Sequence, residues 1–302
     1  MSNIKSLKGI VYAIVSSGTF GLIPLFSIPL MQGGMSEPSV LFFRFLFSAL
    51  MMLAICLIRR ENLKITLKQA YSIGMLGLLY AATALFLIYS YRYIPSGIAT
   101  TIHFMYPIAV SFIMMMFFKE KRSVILLLAA ALSVIGVVFM CWTGGENIQF
   151  IGLLVAGTTI ITYSFYIVGV NQSKVGRLSA EVLTFYIVLA GAIIFFLFAL
   201  FNGGLGTIPD LPSLGRLLLL AFLCTVVSDF TLVLAIKLVG STISSILGSM
   251  EPVVAVLVGV LYFSESFSIF SFIGIALIII SVIMVVLKNA KKEEKEGAHE
   301  YL

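Results

Sequence analysis

Long, nearly uninterrupted apolar runs constrain this chain more than any other feature. Ten are legible: Lys8–Met31, Glu37–Ile58, Ala70–Ser90, Pro95–Phe118, Ser123–Trp142, Gln149–Val170, Ser179–Phe201, Ser213–Lys237, Ser241–Phe263 and Phe267–Leu287. A helix needs about 20 mostly apolar residues to cross the hydrocarbon core of a bilayer, and each run supplies that length. None alternates polar with apolar residues. A span in lipid must satisfy its own backbone groups, so helices are expected and strands are not. Breakers separate the runs at Gln32-Gly33-Gly34, at Thr143-Gly144-Gly145-Glu146, and between Asn202 and Pro212. The first run is too long for a signal-peptide core and lacks a small-residue cleavage pattern, so it is read as a retained span. The residue balance agrees: 61% hydrophobic and 11% charged, against about 45–50% and about 25% for a soluble domain. A soluble enzyme, a nucleic-acid binder and a disordered chain are thereby excluded. Cys56, Cys141 and Cys224 lie in apolar runs without CxxC spacing or clustered His, so neither a disulfide framework nor a metal site is expected. No cofactor is expected either.

The net charge of +6 is a topology label. With the N-terminus in the cytoplasm, 16 of the 19 basic residues fall on the cytoplasmic side. They are Lys5 and Lys8, then Arg59, Arg60, Lys64 and Lys68, then Lys119, Lys121 and Arg122. Lys174, Arg177, Lys237, Lys288, Lys291, Lys292 and Lys295 complete the set. Arg92 and Arg216 fall outside, and Arg44 lies within a span. Such bias predicts that both termini are cytoplasmic. The segment Lys291–Leu302 reads as a solvated, unstructured end.

The chain also repeats itself. A shift of 145 residues lays the fourth run on the ninth: Ser96 on Ser241, Met105 on Met250, Pro107 on Pro252, Glu120 on Glu265. A shift of 143 lays the first two runs on the sixth and seventh, with Gly9 on Gly152 and Thr19 on Thr162. Five spans per half is an odd number, so the second half must cross upside down. The charges concur, since Lys119, Lys121 and Arg122 flank Glu120 while Ser264, Ser266 and Phe267 flank Glu265. The expected fold is an all-α polytopic membrane protein of ten transmembrane helices in two inverted five-helix repeats, an architecture used by secondary transporters. The repeats are residues 1–147 and 148–288, and 289–302 form a charged cytoplasmic tail.

These residues carry a family resemblance. Phe43-Arg44-Phe45-Leu46 with Ser48-Ala49-Leu50, Tyr106-Pro107-Ile108 with Glu120, and Glu251-Pro252-Val253 with Glu265 resemble the motifs of EamA domains, of the drug/metabolite transporter superfamily. The resemblance covers essentially the whole chain as two tandem domains. It implies a ten-helix transporter of small metabolites, often an exporter of amino acids or related compounds.

Ionisable groups inside a membrane are costly and usually functional. Glu251 is roughly 15 Å deep along its span, and Pro252 after it cannot donate to the carbonyl of Gly248. A carboxylate beside freed carbonyls suits a proton or a substrate ammonium; a packing role is the alternative. Asp229 lies roughly 12 Å from the cytoplasmic end of its span, as a candidate for proton coupling or cation recognition; a buried ion pair is the alternative. Its first-half match is Ala84. His103 stands beside the break expected at Pro107 and suits proton coupling or carboxylate recognition. Arg44, roughly 10 Å from the outer interface, can fork onto a carboxylate or lock an interhelical network, and its wide occurrence in the family favours the lock. Tyr80, Tyr163 and Tyr166 lie inside spans and need hydroxyl partners. Ser16, Ser17 and Thr19 with Thr158, Thr159, Thr162 and Ser164 either line a polar cavity or bridge helices. The glycine pairs Gly18/Gly21 and Gly74/Gly77 read as close-packing positions.

Together these features predict a multi-pass protein of a bacterial inner (cytoplasmic) membrane. It would move a small molecule, most readily exporting an amino acid or a similar compound, by alternating access about a midplane site beneath Pro107 and Pro252. Its partners are that substrate, the lipid bilayer and, if coupled, protons; it acts as a monomer or homodimer. An uncoupled facilitator or exchanger and a non-transporting receptor of the same fold are the alternatives. A lipid-processing enzyme is disfavoured because the spans hold no His/Asp/Glu cluster.

Overall fold

In a computed structural model, the chain is described except for residues 1, 95, 120–122, 141–148, 174, 176–177, 202, 263–267 and 301–302. Glu120, Glu265, Cys141 and Trp142 lie outside the described residues. The elements in chain order are α1 (Ser2–Phe20), α2 (Ile23–Gln32), α3 (Glu37–Ile58), α4 (Leu67–Ser90), α5 (Ser96–His103), α6 (Tyr106–Phe117) and α7 (Val124–Met140). They continue with α8 (Phe150–Gln172), α9 (Ala180–Phe201), α10 (Leu211–Ala221), a π-helical turn (Phe222–Val227), α11 (Ser228–Leu247), α12 (Met250–Tyr262) and α13 (Ile269–Glu300). No strand occurs among the described residues.

Six helical stretches among the described residues are long and apolar enough to cross a membrane: Ser6–Gln32, Glu37–Ile58, Leu67–Ser90, Phe150–Gln172, Ala180–Phe201 and Leu211–Leu247. Three shorter apolar helices, Tyr106–Phe117, Val124–Phe139 and Phe272–Val285, accompany them. Bulky apolar side chains such as Phe112, Leu154, Phe196 and Ile283 point outward, as they do when lipid is the solvent.

The breaks are local and have local causes. Pro24, Pro107 and Pro252 each lie in the first turn of a helix that restarts, where a missing N–H costs nothing. The chain therefore breaks just before each proline, at Gly21-Leu22, Phe104-Met105 and Gly248-Ser249. Gly240 adds a kink within α11, with φ 84°, a left-handed geometry that glycine reaches without strain. The ninth run thus begins inside α11 and ends in α12. Its break mirrors that between α5 and α6, as the 145-residue shift requires. At the other end, α13 runs on to Glu300.

Packing obeys the repeat. The dominant neighbours are α1 with α11, α4 with α8, α3 with α9, and α7 with α13. Numbered as the ten runs, these are first with eighth, third with sixth, second with seventh and fifth with tenth. Exchanging the halves turns the first pair into the second and leaves the others unchanged. Every dominant pair therefore joins the two halves. Close approach is achieved at Gly77, where a Cβ would lie 2.6 Å from that of Ala190, whereas Gly74 faces open space and is not a packing position.

Charges tie the helix ends. Glu37 accepts a forked pair of bonds from Arg92 at 2.7 and 2.6 Å, which raises the Arg92 pKa. Glu181, in the first turn of α9, pairs with Arg59 at 2.5 Å, and Lys237 acts on it electrostatically. The 145-residue shift carries Arg92 onto Lys237, so an acid at the start of one helix meets a base in both halves.

Candidate functional site

Three interrupted helices meet in the interior. Tyr106, which opens α6, lies on the break before α12: a Cβ on Gly248 would sit 2.0 Å from its hydroxyl oxygen. Gly21, in the break between α1 and α2, rests on the backbone of Glu251, whose carbonyl oxygen would be 2.5 Å from an added Cβ. Ser17 donates to the Leu247 carbonyl at 3.3 Å, and Ser164 donates to the Tyr106 carbonyl at 3.3 Å.

Glu251 occupies that junction. It is buried, and its carboxylate makes no hydrogen bond or ion pair among the described residues. It borders a cavity of about 20 Å³ lined by Phe20, Gly21, Ile23, Pro24, Leu87, Tyr91 and Thr100. Tyr91 and Thr100 are hydrogen-bonded to each other. The freed carbonyl expected at Gly248 is absent: the N–H of Glu251 itself donates to it at 2.9 Å. A tighter, three-residue turn replaces the bond that Pro252 cannot make, so the site's polarity comes from side chains and not from a freed Gly248 carbonyl.

Asp229 lies nearby in the core, at the start of α11. One carboxylate oxygen accepts from the Tyr80 hydroxyl at 2.8 Å, and the other has no hydrogen-bond partner among the described residues. Arg44 is close enough to act on it electrostatically but makes no ion pair with it within 4.0 Å among the described residues. Arg44 instead donates from Nε to Thr225 Oγ1 at 2.7 Å and from Nη2 to the Cys224 carbonyl at 3.1 Å. Ser48, one turn along α3, donates to the Ala221 carbonyl at 3.1 Å. These donors reach a π-helical turn, whose looser ladder leaves backbone groups to be satisfied from outside. Arg44 serves as a lock between α3 and the π turn, with its guanidinium 5.8 Å from the Phe20 ring centre and 5.6 Å from that of Phe45.

His103 is fully buried at the end of α5. Its Nδ1 lies 2.9 Å from Thr159 Oγ1, and its Nε2 has no hydrogen-bond partner among the described residues. Thr159 already donates its proton to the Ala156 carbonyl, so Nδ1 carries the hydrogen and Nε2 presents a lone pair. A file of rings links these groups. Tyr80 stacks on Tyr166 at 5.0 Å, Tyr166 on Tyr163 at 5.8 Å, and Tyr163 meets His103 at 5.1 Å and Tyr106 at 4.7 Å. The Tyr166 hydroxyl is buried without a hydrogen-bond partner among the described residues.

Of the expected residues, Glu251, Asp229, His103, Tyr80 and Tyr163 fall along this interior path, and Pro107 and Pro252 flank its breaks. Sequence reasoning left Tyr106 and Tyr166 out of the site and did not single out Tyr91; only Tyr166, two turns from Thr159 in a polar stretch, carried a usable signal. The hydroxyl cluster bridges helices rather than lining a cavity: Ser228 donates to the Ser16 carbonyl at 3.0 Å, and Thr83 and Thr162 are 2.7 Å apart. Two larger depressions, of about 390 and 840 Å³, lie around Gln172 and Ser173 and touch none of the candidate residues. No group of three or more His, Cys, Asp or Glu able to hold a metal occurs among the described residues.

The sequence profile of the EamA-like transporter family matches residues 7–142 and again residues 150–287. The chain therefore belongs to the EamA-like transporter family, which makes it a multi-pass membrane transporter of the drug/metabolite type. A solved structure described only as the crystal structure of a protein superposes on it with a TM-score of 0.79 at 17% identity, covering 94% of this chain and 98% of that one. That likeness concerns the fold. No curated protein sequence matches.

Proposed function

We propose that this chain is a secondary transporter that exports an amino acid or amino-acid-like metabolite across the bacterial inner membrane by alternating access, coupled to protons. On this reading the ten apolar runs make ten crossings, with both termini in the cytoplasm. The substrate site lies between the halves, where the helices before Tyr106, Ile23 and Met250 break. The observation that carries the reading is the pair of buried carboxylates, Glu251 and Asp229, neither held in an ion pair among the described residues. Buried carboxylates without counter-charges are costly and are retained where a proton or a cation comes and goes. His103 and Tyr163 line the path between them, while Tyr80 holds Asp229 in place.

Proteoliposomes with an imposed pH gradient test it. Efflux of loaded amino acids is expected to follow the gradient in the wild type. Asp229→Asn or Glu251→Gln is expected to uncouple it. Transport indifferent to the gradient and to both substitutions would identify a facilitator instead.

A further inference from the structure

The charge balance around the junction says which part of a substrate is recognised. Glu251 lines the cavity, and its buried carboxylate has no basic group in contact among the described residues. The basic side chain that could answer a substrate carboxylate, Arg44, is committed to Thr225 and the Cys224 carbonyl. The cavity holds about 20 Å³, room for one water-sized group, and an ammonium head is that size. Its wall includes the rings of Phe20 and Tyr91 and the hydroxyl-bearing Thr100, and Tyr106 and Tyr163 stand within electrostatic range of Glu251. Aromatic faces attract cations within about 6 Å. Phe20 already does so on its Arg44 side, with the guanidinium 5.8 Å from its centre.

We infer that the Glu251 cavity is a recognition site for a primary ammonium head group, so that substrates are amines whose carboxylate is dispensable. This deepens the transport reading and rests on it for its physiological sense. The ammonium donates to the Glu251 carboxylate and Thr100, and the organic body passes Phe20 and Pro24 when the junction opens. A trimethylated nitrogen is too wide for the cavity and has no N–H to donate.

The test uses the full-length protein in nanodiscs, with binding read by ligand-induced shifts in unfolding temperature. The probes are phenethylamine, phenylalanine, 3-phenylpropionate and trimethyl(phenethyl)ammonium. The first two are expected to stabilise the protein and the last two are not. Glu251→Gln is expected to weaken phenethylamine binding roughly 30-fold or more, as loss of a buried charge partner does. Glu251→Asp, which keeps the charge, is expected to preserve the ranking of the probes. The inference is overturned if 3-phenylpropionate or the trimethyl compound binds as well as phenethylamine, if phenethylamine does not bind, or if Glu251→Gln leaves its affinity unchanged. The wild-type ranking decides the matter even if a variant fails to fold. Counterflow in liposomes keeps the two readings apart. Phenethylamine and phenylalanine that both bind but never cross would sink the transport reading alone. Phenylalanine that crosses without competition from phenethylamine would sink the ammonium site alone.

Discussion

At the residue scale, the interior is held by single contacts whose removal has readable consequences. The Tyr80 hydroxyl is the one partner of the Asp229 carboxylate among the described residues. Tyr80→Phe keeps the ring stack on Tyr166 and leaves the acid unpaired, a change worth about 1–3 kcal/mol. The unfolding temperature is expected to fall, and Asp229→Asn in the same background to recover part of the loss. Gly248 is a second such point. Its missing Cβ makes room for Tyr106, whose hydroxyl oxygen it would meet at 2.0 Å. Gly248→Ala should therefore destabilise the wild type more than it destabilises a Tyr106→Phe protein, because the clashing oxygen is gone. Additive losses in that double-mutant cycle would show that the contact carries no strain. Neither pairing can be read from sequence. Tyr80 and Asp229 are 149 positions apart, and only the lateral order of the helices joins them.

At the scale of elements, the π turn and the helix caps decide local geometry. The π turn is clasped from α3 by Arg44 and Ser48. Arg44→Lys keeps the charge but cannot reproduce the planar fork, so it is expected to cost about 1.5–3 kcal/mol, the range for hydrogen bonds to charged groups. Faster amide exchange across Phe222–Val227 than in α9 would be its signature. Asp210 caps α10 by accepting from the Ser213 N–H at 2.7 Å, which holds its pKa below the ordinary 3.8. A lowered carboxylate pKa stabilises the fold above its unfolded value and loses that contribution as pH falls through the lowered one. The difference in unfolding temperature between wild type and Asp210→Ala is thus expected to persist at neutral pH and vanish in acid. A difference that grew on acidification would contradict the cap. The breaks at Pro107 and Pro252 were legible in sequence, whereas the one before Pro24 fell within a run read as a single span; the π turn was not legible either, since Phe222–Val227 is an ordinary apolar hexapeptide. Its conformation follows from the donors that α3 brings to it.

At the scale of the whole molecule, the two-fold repeat organises everything else. The strongest helix pairs each join one half to the other, so neither half completes its packing alone. Topology is the accessible test. A fluorescent protein fused after Leu302 is expected to glow in the cytoplasm, and alkaline phosphatase fused there to stay inactive; the reverse would invert the assignment drawn from 16 of 19 basic residues. The sequence by itself determined the apolar runs, their two-fold repetition and the positions of the breaks at Pro107 and Pro252. These depend on composition, on spacing and on proline's missing N–H, all local properties. Tertiary structure alone decided which buried groups meet. It gave Arg44 to the π turn, Tyr80 to Asp229 and His103 to Thr159, and it left Glu251 lining a cavity with no ion pair among the described residues. In a membrane protein nearly every span is apolar on all sides, so helix faces carry little pattern to announce their neighbours. The pairing of polar groups across helices is set by packing, and it becomes readable only once the helices are assembled.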